Sequence, residues 1–283
     1  MSEREPIHVI SLGAGVQSST MALMAAHGEI EPMPDLAIFA DTGWEPRAVY
    51  EWLRWLRSGN VLPFPVVTVS AGNIRGDQLT GRRAGGRAGG AQRIAVLPYF
   101  TKAPDEVREG RVKRQCTAEY KIEPIELYLK REILGLRPRQ RAPKDVQIIQ
   151  WRGISTDEAS RMKPSRHRWM EVRYPLAMER RMSRADCLLW MARQGYPLPP
   201  RSACLGCPFH SNAEWRSIRE NPDEWADVVA FDYAIRDTTA MGMERPTFLH
   251  RQCVPLNEAD LSTPAERGQG TLFGEECEGM CGL

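Results

Sequence analysis

The feature that most constrains this chain is a rhythm: short β-branched apolar runs alternate with helix-length segments. Ile7–Leu12 (IHVISL) reads as a buried strand, and Val16–Ala26 follows as a helix carrying Met21, Leu23 and Met24. Leu36–Ala40 is a second strand. Glu45–Arg57 is a helix with Val49, Trp52, Leu53 and Leu56 at near-helical spacing, and Val66–Val69 is a third strand. Strands with no polar face must be covered on both sides. The expected fold is therefore α/β, a parallel sheet with helices on both faces. Ligands of such sheets gather at the carboxyl ends of the strands.

Beyond residue 70 the rhythm breaks. Gly72–Gly110 contains GRRAGGRAGGAQR, too rich in Gly and Arg to pack a core; residues 72–110 read as a mobile loop over the site or a phosphate-contacting arm, or else as a plain floppy insertion. Pro124–Leu134, Ser183–Gln194 (Ser183 as N-cap, Gly195 as stop), Ala213–Glu220 and Asp223–Arg236 read as helices, and Val146–Trp151 as a strand. Cys187 lies on one of these helices and reads as a buried structural thiol. Pro255–Leu283 is acidic and short of large apolar residues, so it reads as a loosely held tail. The expected division is a nucleotide-binding α/β domain over 1–215, a helical extension over 216–254 and a Cys-containing tail over 255–283.

Charge is distributed unevenly. The whole chain of 283 residues carries +2, but Arg75–Arg168 carries +11 and the remainder −9. A basic middle suits an anionic partner, nucleic acid included. Arg82, Arg83, Arg87 and Arg93 are the candidate polyanion contacts. No run approaches the ~20 apolar residues of a spanning helix. With no apolar stretch behind Met1–Pro6, a cytoplasmic protein without a membrane partner is expected. Seven cysteines is an odd count, and clustered Cys in a reducing compartment points to metal or redox chemistry.

Three segments carry the chemistry, each directly after a strand. Ser11-Leu12-Gly13-Ala14-Gly15-Val16-Gln17-Ser18-Ser19 joins the first strand to the first helix. Its glycines let backbone N–H groups turn inward, the helix start adds partial positive charge, and the serines add hydroxyls, which together suit a phosphate. It lacks the Lys of GxxxxGK[ST] and the third Gly of GxGxxG. Asp41-Thr42-Gly43-Trp44-Glu45 follows the second strand. There Asp41 is placed for ribose, Mg²⁺ or substrate, or else Asp41 or Thr42 caps the next helix. Arg152-Gly153-Ile154-Ser155-Thr156-Asp157-Glu158-Ala159-Ser160-Arg161 follows a later strand, and Arg161 is suited to grip phosphate or sulfate.

Taken together, these segments resemble the phosphoadenosine-phosphosulfate (PAPS) reductase family, within the PP-loop adenine-nucleotide α-hydrolase superfamily. The resemblance continues in Cys116-Thr117-Ala118-Glu119-Tyr120-Lys121-Ile122-Glu123-Pro124, Arg173-Tyr174-Pro175-Leu176 and Cys204-Leu205-Gly206-Cys207-Pro208, and covers about residues 7 to 215. It implies an adenine-nucleotide site built from Ser11, Gly13, Ala14, Gly15, Gln17, Ser18, Ser19, Asp41, Thr42, Gly43 and Gly153. Lys121 and Arg161 would face the phosphate or sulfate. There are departures from the pattern. Gly13 and Gln17 stand where the superfamily's SGGxDS loop has Ser and Asp, and Gln115 precedes Cys116 where iron–sulfur members have a second Cys. The chain ends Glu276-Cys277-Glu278-Gly279-Met280-Cys281-Gly282-Leu283, similar to the reductases' ECGLH segment but without its His.

Cys204-x-x-Cys207 has the spacing of a chelating pair. The resemblance brings Cys116 to the same pocket, where three thiolates would hold a [4Fe-4S] cluster and leave one iron open, for sulfide or for a fourth Cys, with Cys253 the candidate. Zn²⁺ on the same residues, completed by His210 or His250, is the rival. Three functions follow. The first uses ATP: attack at the α-phosphate releases pyrophosphate, and sulfur from a donor then replaces the adenylated oxygen, on an acceptor such as tRNA or DNA. The second is thioredoxin-dependent PAPS or APS reduction with Cys281 as nucleophile. The third, motivated by Gln17, is a nucleotide- or nucleic-acid-binding relative without catalysis.

Overall fold

The computed structural model describes residues 5–83, 92–93, 97–103, 105–237, 244–263 and 266. Contacts divide the chain into two compact units, each discontinuous in sequence. The first takes Met1–Asp41, Arg47–Ala71 and Lys121–Ser202; the second takes Thr42–Pro46, Gly72–Tyr120 and Ala203–Leu283. In this partition the segments 72–120 and 203–283 fall in the same unit.

The first unit is built on five parallel strands: β1 (Ile7–Ser11), β2 (Leu36–Asp41), β3 (Val66–Ser70), β4 (Ile148–Arg152) and β5 (Met170–Arg173). Their order is β3-β2-β1-β4-β5. The chain builds outward from β1 in one direction and then returns to build in the other, so the order reverses between β1 and β4. Such a reversal opens a crevice at the carboxyl ends of the two central strands.

Alternate strand residues feed two separate cores. Ile10, Ala37, Phe39 and Trp151 pack with α1 (Val16–Ala26), α2 (Arg47–Leu56) and α5 (Arg184–Arg193) on one face. Val9, Leu36, Ile38, Ala40, Ile148 and Met170 pack with Ile125 and Leu129 on the other, from α4 (Glu123–Tyr128) and the π-helical turn Leu129–Ile133. Helices therefore cover both faces, as the continuous apolar runs demand. Each fully buried Leu, Ile or Phe contributes roughly 1.5–3 kcal/mol, so losing either cover would be costly. The Ser183 cap is a full capping box with Asp186, and Cys187 is buried in the core, its thiol pushed up to about 12 by desolvation. Strand β5 has no counterpart in the sequence reading. Its four residues MEVR, of which only Met170 is buried, are too few to give a periodic signal.

In the second unit, part of the expected loop over 72–110 is ordered structure. Asn73 caps α3 (Ile74–Thr80) by accepting from the Gly76 amide. Phe100–Thr101 forms the centre of a three-stranded antiparallel sheet between Gly110–Arg111 and Thr247–Phe248. Leu97 and Tyr99 are buried, and burial holds the Tyr99 phenol well above its ordinary value. Arg82–Arg83 pairs with Gln92–Arg93 as a short ribbon; their side chains and the whole of Arg87 lie outside the described residues. Helices α6 (Asn212–Arg219) and α7 (Pro222–Ala234) begin at Ser211 and Asn221 caps. The start of the expected tail is packed rather than loose. Leu256 and Leu261 are buried, and Asp232 accepts from the Leu249 and Leu256 amides at 2.9 and 3.0 Å. The remainder of the tail, Cys281 included, lies outside the described residues apart from Glu266. Among the described residues no helix is long and apolar enough to cross a membrane.

One titrating group is built into the first unit's sheet. The Trp151 indole donates to His8 Nδ1 at 3.0 Å, and burial followed by the Arg173 charge lowers the His8 pKa. Protonation at Nδ1 removes the acceptor. The unfolded chain takes up that proton first, so the contribution is fully present above the ordinary His value of ~6.5 and is lost as pH falls through the lowered folded value. Urea titrations from pH 7.5 down to 5 are expected to show a larger loss of stability for the wild type than for His8→Gln. Equal slopes would show that His8 does not titrate on unfolding.

Candidate functional site

The crevice at the β1/β4 reversal is lined by two loops of the first unit. Residues 12–15 leave β1, held to β2 by a bond from the Leu12 amide to the Ile38 carbonyl at 2.9 Å. Ala14 is fully buried with φ +58°, in the left-handed region where a non-glycine residue costs of order 1–3 kcal/mol. Such a turn points successive N–H groups to one side. Gly15 is extended at the N-cap of α1, with no side chain capping the helix, and the first helical bond runs from Ser19 N to Gly15 O. The first-turn amides and the helix dipole therefore present positive potential at this end.

Ser18 braces this turn from within. Its hydroxyl accepts from the Gly13 amide at 3.2 Å and donates to the Gly15 carbonyl at 3.4 Å. Gly13 and Gly15 lie against Ser202, and a Cβ on Gly15 would come within 3.1 Å of Ser202 Cβ. Ser202 was not expected here, and no local pattern marks it. Ser19 corrects the sequence reading: its hydroxyl is fully buried and accepts from the Trp52 indole at 2.9 Å, so it faces the core and not a ligand. Helical spacing explains this, because Ser19 lies a full turn from Gly15 on the face that α2 covers.

The second loop, after β4, is locked onto the first. A Cβ at Gly153 would stand 2.7 Å from both N and Cα of Ser18, which are backbone atoms that cannot swing aside. The Gln17 side chain donates to Ser155 Oγ at 3.5 Å, tying the helix start to the same loop. Ser11, at the end of β1, is in register with Arg152. Ser11, Gly13, Ala14, Gly15, Gln17, Ser18 and Gly153 are thus gathered at the carboxyl ends of the two central strands.

The remaining expected residues are distributed as follows. Asp41 ends β2 and accepts from the Tyr50 hydroxyl at 2.9 Å. Arg161 lies in the 3₁₀ turn Thr156–Arg161 and is ion-paired with Glu158, whose carboxyl burial raises while Arg161 opposes the shift. A phosphate reaching Arg161 would compete with that carboxylate. Lys121 is half-buried in the π-helical turn Thr117–Ile122.

Thr42 and Gly43 belong to the second unit. The buried Thr42 hydroxyl donates to Glu45 Oε1 at 2.8 Å and lies 3.3 Å from Cys204 Sγ, while the Cys204 thiol is 3.7 Å from the same carboxylate oxygen. This Thr–Glu–Cys cluster is absent from the sequence reading, since 159 residues separate Glu45 from Cys204. The described residues do not gather the expected metal site. Among them no group of three or more His, Cys, Asp or Glu side chains is placed to hold an ion, so neither the [4Fe-4S] cluster nor the zinc site finds its donors together. Among the described residues no disulfide involves Cys116, Cys204, Cys207 or Cys253. Cys253 bonds toward the Arg251 carbonyl, and burial pushes its thiol up to about 11. The proposed histidine ligands have other tasks. His210 Nε2 donates to the carbonyls of Cys204 and Leu205 at 3.0 and 3.2 Å. His250 uses both nitrogens, donating to Asn212 Oδ1 and accepting from the Gln252 amide.

No family model matches the chain, and no curated protein matches it. Among solved structures, it overlays the crystal structure of phosphoadenylyl-sulfate (PAPS) reductase from Candida auris in its phosphate complex. The TM-score is 0.39 and the identity 12%, over 69% of this chain and 75% of that one.

The contact at Gly153 yields a direct test of the site. Gly153→Ala forces one of the two loops to move and is expected to cost about 1–3 kcal/mol of stability by urea titration. Adenine-nucleotide affinity, by calorimetry under conditions where the variant is folded, should fall about tenfold or more. Unchanged affinity in the folded variant would separate the crevice from nucleotide binding.

Proposed function

We propose that the chain is an enzyme acting on an adenine nucleotide, held by its phosphates between the loops that leave β1 and β4. The observation that carries this reading is the locking of Gly153 against the first turn of α1 at the reversal of strand order. It sets an uncapped helix start, the left-handed turn at Ala14 and the Ser18 brace beside one crevice. Backbone amides and a helix dipole suit oxyanions and discriminate little among phosphate esters. Adenine and the reaction type come from the sequence resemblance.

The favoured reaction is attack by an acceptor oxygen on the α-phosphate of ATP. Pyrophosphate leaves, the acceptor becomes adenylated, and sulfur then displaces AMP. Adenylation turns a poor leaving oxygen into a good one. The excess of Lys and Arg between Arg75 and Arg168 supports a nucleic-acid acceptor. In this reading Lys121 and Arg161 stabilise charge on the departing phosphates, Arg161 after release from Glu158, and Asp41 orients ribose or Mg²⁺. A second reading is favoured by the terminal Cys281-Gly282-Leu283. The Cys281 thiolate would attack the sulfur of PAPS, the nucleotide would leave without its sulfate, and thioredoxin would release sulfite from the resulting adduct.

One assay separates the two. The purified chain is incubated with ATP and transfer RNA or DNA, and separately with PAPS and reduced thioredoxin. Pyrophosphate in the first arm is the expected result; sulfite in the second, abolished by Cys281→Ser, would select the reductase. Ser18→Ala should weaken nucleotide binding by about 1–3 kcal/mol, because the loop loses its internal brace. Failure to bind any adenine nucleotide would overturn both readings.

A further inference from the structure

Among the described residues Cys204 and Cys207 belong to no group of three or more His, Cys, Asp or Glu side chains placed to hold an ion, and their surroundings suit thiol chemistry. The Cys207 amide donates to the Cys204 carbonyl at 3.0 Å, so the two cysteines occupy the first and last positions of a β-turn. A turn of this kind keeps its end Cα atoms within about 7 Å, which overlaps the ~4.4–6.8 Å that a disulfide spans. The turn is held in place. The Leu205 amide donates to the Trp44 carbonyl at 2.8 Å, and a Cβ on Gly206 would lie 2.1 Å from the Trp44 ring. The two sulfurs are not equivalent. Cys204 is 6% exposed, whereas Cys207 is partly open to solvent. Cys204 has a proton acceptor built beside it. Glu45 Oε1 takes the Thr42 hydroxyl proton at 2.8 Å and lies 3.7 Å from the Cys204 thiol.

We propose that Cys204 and Cys207 are a reversible thiol–disulfide couple, in which Cys207 meets the incoming disulfide and Cys204 resolves the mixed disulfide with Glu45 as its proton acceptor. The oxidant is a low-molecular-weight disulfide, RSSR. The Cys207 thiolate attacks one sulfur, forming Cys207–S–S–R and expelling RS⁻, which takes up the proton Cys207 had lost. Cys204 then gives its proton to Glu45, and its sulfur attacks Cys207 Sγ. The Cys204–Cys207 bond forms and the second RS⁻ leaves, protonated from Glu45 through solvent. In sum, two thiols lose two electrons and two protons, and RSSR becomes two RSH. The reverse sequence oxidises a dithiol partner. All four residues lie in the second unit, so the proposal stands apart from the nucleotide reading.

The test uses the full chain in glutathione redox buffers, quenched with acid, alkylated and digested with trypsin. The peptide from residue 202 to residue 216 holds both cysteines and no other. In oxidising buffer it should be two hydrogens lighter and carry no alkyl group; in reducing buffer it should carry two. Cys204→Ser should trap glutathione on Cys207. Cys207→Ser should leave Cys204 slow to form any mixed disulfide. Glu45→Gln should slow resolution about tenfold or more while Cys207 forms its mixed disulfide at the wild-type rate, a split that general loosening of the turn would not produce. Should that variant fail to fold, the wild-type peptide and the Cys204→Ser trap decide alone. A dialkylated peptide at every buffer ratio would overturn the proposal, as would glutathione trapped on Cys204 in preference to Cys207. If Glu45→Gln folds and resolves at the wild-type rate, the assigned role of Glu45 falls.

Discussion

At residue 153 nothing larger than hydrogen fits, and the organisation of the first unit's crevice follows from that. The loop after β4 presses its backbone onto the backbone of Ser18, so two loops from strands on either side of the reversal act as one rigid piece. Only then can Gln17 reach Ser155, and the Gly13 amide stay braced on the Ser18 hydroxyl. An anion site made of backbone dipoles works only when those dipoles do not have to reorganise on binding. The sheet supplies the rigidity: β1 and β4 are its central neighbours, buried on both faces. The strain at Ala14 is tolerable for the same reason, since a fully buried residue has little room to relax.

Trp44 organises the second unit in a comparable way. Its indole donates to Asp227 at 2.7 Å, its ring lies 4.5 Å from that of Phe231, and Arg75 bridges back to Asp227 at 2.8 Å. The six-membered part of the same ring lies against Gly206. A polar group buried with an aromatic ring is inexpensive when its hydrogen bond is made, and here the bond also fixes the ring's angle. The Cys-x-x-Cys turn is therefore docked on a surface that cannot tilt, and the short segment from Thr42 to Glu45 brings the hydroxyl and carboxylate to the buried sulfur.

Much of this was legible in the sequence. Continuous apolar runs and helical spacing gave β1 to β4, the long helices and the parallel, doubly covered sheet, because burial on both faces leaves a pattern that needs no partner to interpret. The Gly/Ser turn was legible because glycine at a strand–helix junction has few other uses. What escaped depends on distant residues. Ser18 and Ser19 are the same residue type one position apart, yet one braces the loop and the other accepts from Trp52 in the core. Nothing local separates them. α3 was hidden by the Gly/Arg run that follows it, although Asn73 is an ordinary cap. The expected metal site is not gathered among the described residues, and the sequence could not say so: Cys-x-x-Cys spacing states that two sulfurs share a turn, not what surrounds them.

That last ambiguity has a physical resolution in the groups beside the sulfurs. A metal-binding thiol must be held as thiolate, so its neighbours should be other ligands or hydrogen-bond donors that stabilise negative charge. A carboxylate a few ångströms away does the opposite: it repels a thiolate and attracts the thiol proton. Thr42 strengthens the distinction, because its single proton is directed to Glu45, leaving its lone pairs toward Cys204. Cys204 is therefore placed as a proton donor. A buried thiol held in that form is inert until a disulfide forms next to it, when the approach of an electrophilic sulfur makes loss of the proton favourable. The arrangement keeps the resolving sulfur unreactive toward solvent and ready for its partner, which is what a dithiol couple requires and a chelate does not.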